Sequence, residues 1–235
     1  MFNEKMKAVT FSYDDGVTQD PRLIEIFNKY GLKATFNLNS EKLGETRTLQ
    51  INGKEINHNK IAPSDVKFIY EGHEIASHTL THPRLPEITD DREIIRQVEQ
   101  DRLNLSELAG YEIVGFAYPC GGVNFDSRVS KLIKENTGIK YCRTIISNHS
   151  FEIQDNLYEF NPTVHHHREW DKMYSLADEF IRLDAKTPQI FYIWGHSYEF
   201  DINNDWDRFE EFCRIISGKN DIFYGTNKDV LLTNI

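Results

Sequence analysis

Short apolar runs alternate along the chain with longer segments of helical period. The apolar runs are typical of strands that are buried on both faces of a parallel sheet. Alternating strands and helices predict an α/β fold, built either as an α/β barrel or as a doubly wound sheet. We predict strands over Ala8–Tyr13, Ala34–Leu38, Glu74–Ser77, Val114–Tyr118, Tyr141–Ile145, Ile190–Trp194 and Ile222–Tyr224.

Capping residues and helix-stopping glycines bound the predicted helices. Asp20 as the cap and Pro21 at the first position open the first helix, which Gly31 stops, while Gly110 closes the longest one. Thr226 is expected to cap a final short helix. Apart from this final helix, the predicted helices cover Pro21–Tyr30, Pro63–Gly72, Asp90–Ala109, Asp126–Glu135, Glu169–Leu183 and Asp205–Ser217.

Residues 45–61, with the sequence ETRTLQINGKEINHNKI, interrupt this alternation. An Asn-Gly pair between two alternating segments is a hairpin signal. We therefore predict a β-hairpin insertion near residues 45–61, beside the strand that ends at Leu38. The chain shows no internal repeat, low-complexity tract or linker, so we expect a single domain over residues 1–235.

Charge and hydropathy restrict the partners of the chain. Its 235 residues carry a net charge of −10, which argues against a nucleic acid or an anionic membrane surface as the partner. No segment approaches the ~20 apolar residues that span a bilayer. The N-terminus lacks the apolar core of a signal peptide, so we expect a cytoplasmic protein, or an extracytoplasmic one if a leader was removed. Three cysteines imply no disulfide scaffold.

Carboxylates and imidazoles follow the predicted strands at the end where a parallel barrel gathers its chemistry. The first strand leads into Asp14 and Asp15, and the third leads into His78 and His82. Solvated turns would explain both pairs, since Asp-Gly is a common turn dipeptide. Alternatively, the spacing of the histidines suits one divalent ion, and one aspartate would complete a two-histidine, one-carboxylate set. The other aspartate could then stay ionised and act as a base.

The later strands add further polar groups at the same end. The fourth is followed by Tyr118-Pro119-Cys120-Gly121-Gly122, the fifth carries Arg143, and the sixth is followed by His196. In this order, the motifs TFSYDDG, HTLTH, YPCGG and WGH resemble the polysaccharide deacetylases of carbohydrate esterase family 4. The resemblance covers the chain from Thr10 to His196. It implies a distorted (β/α)7 barrel and the hydrolysis of an N- or O-acetyl group on a sugar.

The resemblance also implies a role for each motif residue. Asp15, His78 and His82 would bind one divalent metal ion, most simply zinc, with cobalt or nickel as alternatives. Asp14 would be the general base, and His196 would be the general acid that protonates the leaving amine. Amide hydrolysis requires such an activated water, a stabilised oxyanion and a proton for the nitrogen.

The third motif would form one wall of the substrate groove, with Tyr118 and Pro119 beside Cys120. The backbone N–H of Cys120 would help to hold the oxyanion, and its thiol is either a small packing residue or an adventitious metal ligand. The family has an arginine where this chain has Ala117. We hypothesise that Arg143 supplies that charge to Asp14 from the next strand; otherwise it is a surface arginine.

Other polar residues near the motifs receive weaker interpretations. We interpret His165-His166-His167 as a solvated or substrate-facing loop, because three consecutive histidines point in different directions. His73 fits a structural histidine that is bonded to the backbone. The segment from Tyr198 to Asp201, which contains Glu199, could bind a sugar, orient His196 or form a solvated loop.

Three functions remain open at this point. The leading one is a metal-dependent hydrolase that acts on a carbon–nitrogen or ester bond of an acetylated carbohydrate. The second is an amidohydrolase of the same fold that cleaves a small linear or cyclic amide. The third is a carbohydrate-binding pseudoenzyme, which the missing motif arginine would support. A homo-oligomer is possible, since the hairpin could form a dimer contact or border the groove.

Overall fold

A curled parallel sheet forms the centre of the fold, which the computed structural model describes over residues 2–232. The strands of the chain are β1 (Lys7–Asp14), β2 (Ala34–Leu38), β3 (Thr48–Ile51), β4 (Lys54–Asn57), β5 (Glu74–Ser77), β6 (Gly115–Ala117), β7 (Tyr141–Arg143), β8 (Val164–His165), β9 (Gln189–Gly195) and β10 (Ile222–Tyr224). Seven strands of the central sheet follow the order β7-β6-β5-β2-β1-β9-β8, and β10 pairs with the first half of β1, whereas β3 and β4 form a separate pair. Every strand pairing in the central sheet is parallel.

Helices follow the strands and cover the sheet, which confirms the predicted α/β class and distorted barrel. The α-helices are α1 (Asp20–Lys29), α2 (Val66–Ile69), α3 (Asp91–Ala109), α4 (Ser127–Asn136), α5 (Trp170–Arg182), α6 (Glu199–Asn203), α7 (Trp206–Ile216) and α8 (Asn227–Leu231). Short 3-10 turns lie at Phe2–Glu4, Ser40–Lys42, Pro63–Asp65, Leu85–Glu87 and Leu157–Glu159. Within residues 2–232, no helix is both long and apolar enough to cross a bilayer.

Strand β1 organises the sheet because all eight of its residues are buried. It pairs with β2 on one side and with β9 on the other, and its Phe11 ring packs 4.8 Å from that of Phe27 on α1. Phe209 of α7 completes this aromatic contact at 5.9 Å from Phe27. Burial of each such side chain stabilises the fold by roughly 1.5–3 kcal/mol. These contacts hold β1 in place and so fix the direction in which the chain leaves the strand.

Several predicted boundaries are wrong. Helix α1 begins at Asp20 itself, whose buried carboxylate accepts hydrogen bonds from the hydroxyls of Tyr70 and Ser197 instead of capping the helix. The predicted helix over 63–72 is a 3-10 turn followed by one turn of α2. Strand β8 and helix α6 were not predicted, because two and five residues are too short for a periodic pattern.

The predicted hairpin insertion is present as the antiparallel pair β3–β4, with Thr48 opposite Asn57. Asn52 and Gly53 turn the chain with φ values of 53° and 76°, the left-handed backbone of a two-residue hairpin turn. After β4 the chain runs back beside the residues that follow β1, where Lys60 and Val17 form an isolated antiparallel β-bridge. This return places the second half of the insertion beside the residues that follow β1.

Candidate active site

Asp15, His78 and His82 come together at the carboxyl ends of β1 and β5. One ligand atom from each residue lies within 4.8 Å of the others, and His82 Nε2 is 3.8 Å from Asp15 Oδ1. His78 Nδ1 donates a hydrogen bond of 2.7 Å to the carbonyl of Ala117. A carbonyl can only accept, so His78 Nε2 is left without a proton and faces the group. These donors fit a divalent ion of the zinc type.

Burial keeps both of these histidines neutral, as metal ligation requires. It lowers the pKa of His78 to about 4, and it also lowers the pKa of His82. Burial opposes the ionisation of Asp15, but the Lys60 ammonium and a hydrogen bond from His58 hold its pKa well below the usual range. The three side chains therefore have the protonation states of metal ligands at neutral pH.

Left-handed backbone recurs around this group. Asp15, Thr79, His82 and Cys120 have φ values of 85°, 70°, 62° and 71°. Such conformations cost about 1–3 kcal/mol each for residues other than glycine, and they cluster at functional sites. At Asp15 a hydrogen bond stabilises the left-handed backbone: its N–H donates to the carbonyl of Asn37 at 2.9 Å. The surrounding strands thus fix the direction of each ligand.

Asp14, the last residue of β1, forms a buried ion pair with Arg143. One guanidinium nitrogen, Nη2, donates to both carboxylate oxygens at 2.6 and 2.5 Å, and the guanidinium carbon lies over Trp194, 4.3 Å from the centre of its ring. Asn37 donates a further hydrogen bond of 2.8 Å to Asp14. Burial opposes ionisation, but Arg143 with the nearby imidazoles lowers the pKa of Asp14 below its ordinary value.

The sheet register explains why an arginine on β7 can reach this aspartate. Ala117 on β6 pairs directly with Arg143 on β7, so the two positions are neighbours at the same level of the sheet. The side chain of Ala117 is only a methyl group. It leaves space for the longer Arg143 side chain to reach Asp14. The structure therefore places Arg143 where the hypothesis about the missing motif arginine requires it.

His196 lies across the cavity from the metal-ligand group. Its Nε2 is 4.0 Å from Asp14 Oδ2, and its Nδ1 is 3.3 Å from Glu199 Oε2. Burial favours the neutral imidazole, but the Glu199 carboxylate raises the pKa of His196 to about 9. Glu199 also accepts the backbone N–H of His196 at 3.0 Å, so α6 fixes the orientation of both groups. Of the alternatives for this segment, the geometry favours orientation of His196.

The interpretation of the triple histidine as a solvated loop is wrong. His165 belongs to β8, His165 and His166 are buried, and His167 is half-buried. Nε2 of both His165 and His166 lies 3.5 Å from Glu199 Oε2. These side chains lie behind the catalytic cavity because β8 pairs with β9 and turns them inward.

A second group that could geometrically hold an ion contains His165, His196 and Glu199. His165 Nδ1 accepts the backbone N–H groups of His167 and Arg168, each at 3.2 Å. An accepting Nδ1 of a neutral imidazole requires the proton on Nε2, the atom that faces Glu199. That nitrogen cannot ligate a metal, so we interpret the group as imidazoles around one buried carboxylate.

The third motif contributes two of its three predicted residues to the cavity wall. Tyr118 and Cys120 line the cavity, whereas Pro119 does not. Among residues 2–232, the backbone N–H of Cys120 has no hydrogen-bond partner. Its Sγ lies 3.7 Å from His82 Nδ1, and burial raises the pKa of the thiol, so it is the neutral thiol that packs against this imidazole.

The cavity has a volume of about 240 Å³, below the ~300–1,000 Å³ of most small-molecule sites. Asp14, Asp15, His78, His82 and His196 all face it. Its remaining lining residues are Tyr118, Cys120, Gly121, Ile145, Arg168, Trp194 and Tyr198. The cavity therefore accommodates one small group beside the five ionisable side chains.

Two residues of the hairpin insertion reach the same site. His58 Nε2 lies 3.1 Å from Asp15 Oδ2, and Lys60 Nζ donates a hydrogen bond of 2.8 Å to the Asp15 carbonyl. Neither residue is predicted by the motifs, since both lie outside them. The sequence offered only one indication, namely a hairpin that carries a histidine and a lysine and that begins beside a site strand.

The curled parallel sheet carries these ionisable groups at its carboxyl edge, where enzymes built on a parallel barrel have their active sites. Residues 3–142 match the family model described as polysaccharide deacetylase. The match covers more than half of the chain, and the chain belongs to this family, the polysaccharide deacetylases. The predicted resemblance is thereby confirmed.

Solved structures with the same fold cover nearly the whole chain at low sequence identity. A Mycobacterium smegmatis protein assigned to the polysaccharide deacetylases superposes with a TM-score of 0.70 at 16% identity, covering 97% of this chain and 90% of its own. A family 4 carbohydrate esterase from Streptomyces lividans, in complex with acetate, gives 0.56 at 14% identity over 94% and 92%. A CE4 family pseudoenzyme from Bacillus anthracis gives 0.52 at 17% over 98% and 66%. No curated protein sequence matches the chain.

Proposed function

We propose that the protein is a metal-dependent deacetylase that hydrolyses an N- or O-acetyl group of an acetylated carbohydrate. The observation that carries this proposal is the placement of Asp15, His78 and His82 beside the Asp14–Arg143 pair and His196. A divalent ion held by the first three residues, most simply zinc, would polarise the acetyl carbonyl and lower the pKa of the attacking water.

Asp14 is the general base in this proposal. Its carboxylate accepts the proton of the attacking water, and Arg143 keeps it ionised at neutral pH despite its burial. The contact of Arg143 Nη2 with both oxygens, together with the hydrogen bond from Asn37, also holds the carboxylate in place, so the accepting oxygen is oriented before the substrate arrives. A positioned base of this kind contributes about 10²–10⁴-fold to the rate.

His196 is the general acid. With a pKa of about 9 it carries its proton at neutral pH, and its Nε2 faces Asp14 across the cavity, where a leaving nitrogen would lie. Glu199 is a positioning residue, because it holds Nδ1 and thereby directs Nε2–H into the cavity. The donor for the developing oxyanion is the free backbone N–H of Cys120.

The volume of the cavity favours one alternative within the same class. A space of about 240 Å³ would also accept a small linear or cyclic amide, which requires the same base and acid. The pseudoenzyme alternative has less support, since the five ionisable residues of the motifs all face the cavity.

The test combines metal analysis with acetate release. Purified protein is loaded with Zn²⁺, Co²⁺ or Ni²⁺ and incubated with acetylated chitin oligomers, with and without a chelator, alongside a panel of ureides and cyclic imides. We expect chelator-sensitive acetate release that Asp14→Asn abolishes and that Arg92→Gln, an exposed position on α3, leaves intact. Turnover of the cyclic amides alone would favour the alternative, and sugar binding without turnover would favour the pseudoenzyme.

A further inference from the structure

A second cavity adjoins the catalytic one on the side of the insertion. Its volume is about 410 Å³, and it shares Asp15, His82 and Tyr198 with the catalytic cavity. We call it the hairpin compartment. Its other lining residues are Lys42, Glu45, Arg47, Leu49, His58, Lys60 and Thr81. The two cavities are therefore adjacent, with Asp15, His82 and Tyr198 common to their linings.

The charge of the hairpin compartment is opposite in sign to that of the chain. Lys42, Arg47 and Lys60 line it, against the carboxylates of Asp15 and Glu45. Asp15 pairs with Lys60 and Glu45 pairs with Lys42, which leaves the charge of Arg47 in excess. In a protein with a net charge of −10, such a local excess of positive charge indicates an anionic ligand.

Two of the three cations are weakly neutralised by the protein itself. Among residues 2–232, the Arg47 guanidinium takes part in no ion pair, although its backbone N–H donates to Asn59. Lys42 lies 3.5 Å from Glu45 in an exposed pair of the kind that contributes little stability. The Lys60 ammonium, by contrast, is bonded to the Asp15 carbonyl and lies 3.5 Å from the Asp15 carboxylate. Arg47 and Lys42 are therefore the cations that a bound anion would pair with.

We propose that the hairpin compartment binds an anionic group of the substrate, a carboxylate or a phosphate, while the acetyl group occupies the catalytic cavity. This inference rests on the proposed function, since it names the class of sugar that the same site would process. Arginine and lysine form charge-assisted hydrogen bonds with both anions, and Arg47 can bind either in a bidentate manner. The insertion is then the element that selects the substrate.

The kinetic test compares neutral and anionic acetylated sugars on the metal-loaded protein. N-acetylglucosamine is the neutral substrate, its 6-phosphate supplies a phosphate, and N-acetylmuramic acid supplies a carboxylate. We expect kcat/KM to be about tenfold or more higher for at least one anionic sugar, as one charged hydrogen bond provides. Arg47→Gln and Lys42→Gln should each lower that ratio by about three- to tenfold, and the exposed Arg92→Gln should leave it unchanged.

A variant of a second arginine tests where the anion binds. Arg168 lines the catalytic cavity and not the hairpin compartment, so Arg168→Gln tests the competing position. If Arg168→Gln removes the preference and Arg47→Gln retains it, the hairpin compartment is not the anion site and the inference is overturned. A preference that only one of the two anions shows identifies the chemical source of the charge and supports the inference.

Calorimetry separates this inference from the proposed function. Glucosamine 6-phosphate and glucosamine lack the acetyl group, so their affinities do not depend on turnover. Preferential binding of the phosphate that Arg47→Gln weakens supports the inference even if no sugar is hydrolysed. Acetate release with equal kcat/KM for neutral and anionic sugars overturns the inference and leaves the deacetylase proposal intact. Phosphate binding that is insensitive to Arg47→Gln and Lys42→Gln also overturns it, because the anion then lies elsewhere.

Discussion

Arg143 on β7 contacts both carboxylate oxygens of Asp14 on β1, at 2.6 and 2.5 Å, across the strands that separate them in the sheet. Both side chains are buried. The aspartate is therefore ionised in a place that is largely shielded from solvent, and the proposed base depends on one guanidinium. This dependence makes the pair the most direct target for mutation.

Replacing Arg143 with Met should lower activity and shift the pH profile. Without the guanidinium, burial raises the pKa of Asp14, so the acidic limb of kcat/KM moves to higher pH. We expect kcat/KM at pH 7 to fall by about 10²-fold or more. Stability should also fall by about 3–5 kcal/mol, because a buried carboxylate loses its partner. Arg143→Lys restores the charge but not the planar guanidinium that lies over Trp194 and donates to the carbonyl of Thr144, and it should recover stability more than rate.

Replacing Glu199 with Gln should move the alkaline limb. The carboxylate raises the pKa of His196 to about 9, so its removal lowers that pKa and deprotonates the acid at lower pH. The alkaline limb of kcat/KM should then shift towards neutral pH while the acidic limb stays in place. Glu211→Gln on the exposed face of α7 is the matched control. An unchanged alkaline limb in Glu199→Gln would show that Glu199 does not set the protonation of His196.

Metal binding should require His78 and His82. We expect equilibrium dialysis to find one zinc ion per wild-type chain and to find binding at least about 10²-fold weaker in His78→Ala, which removes one of three ligands. Zinc at 100 times its Kd should stabilise the wild type by about 2.7 kcal/mol against thermal unfolding. The control is His149→Gln, whose side chain is 40% exposed. Equal zinc stabilisation of wild type and His78→Ala would contradict the assigned ligands.

Acid should destabilise the metal-free protein through His73. Burial lowers the pKa of His73 from its ordinary value of 6.5 to about 4, so between these values the unfolded chain binds a proton that the folded chain does not. Stability is therefore lost as the pH falls through this window, by up to about 1.4 kcal/mol per pH unit for one such histidine. Urea titrations between pH 7 and 4 should show that the free energy of unfolding falls less steeply with decreasing pH in His73→Gln than in the wild type. An equal pH dependence in the two proteins would refute the assignment.

The fold and the motif residues could be predicted because their signals are local. The predicted strand Ala8–Tyr13 is mostly apolar, and Asp14 and Asp15 follow it directly. Arg143 could be proposed from a missing charge, since a buried carboxylate requires a cation. The contacts of His58 and Lys60 with Asp15 could not be predicted, because the pattern of a hairpin fixes its internal register but not the surface on which it lies. Strand β8 escaped detection because Val164 and His165 carry no periodicity.

The burial of the histidines at the end of β8 has a practical consequence for purification. A run of three histidines resembles a short affinity tag, but two of the three rings are buried against Glu199, and His165 is protonated on the nitrogen that a chelated nickel ion would need. The folded protein should therefore pass through an immobilised-nickel column under conditions in which the same chain, denatured in urea, is retained. Retention on the resin thus becomes a simple assay for the opening of this part of the barrel.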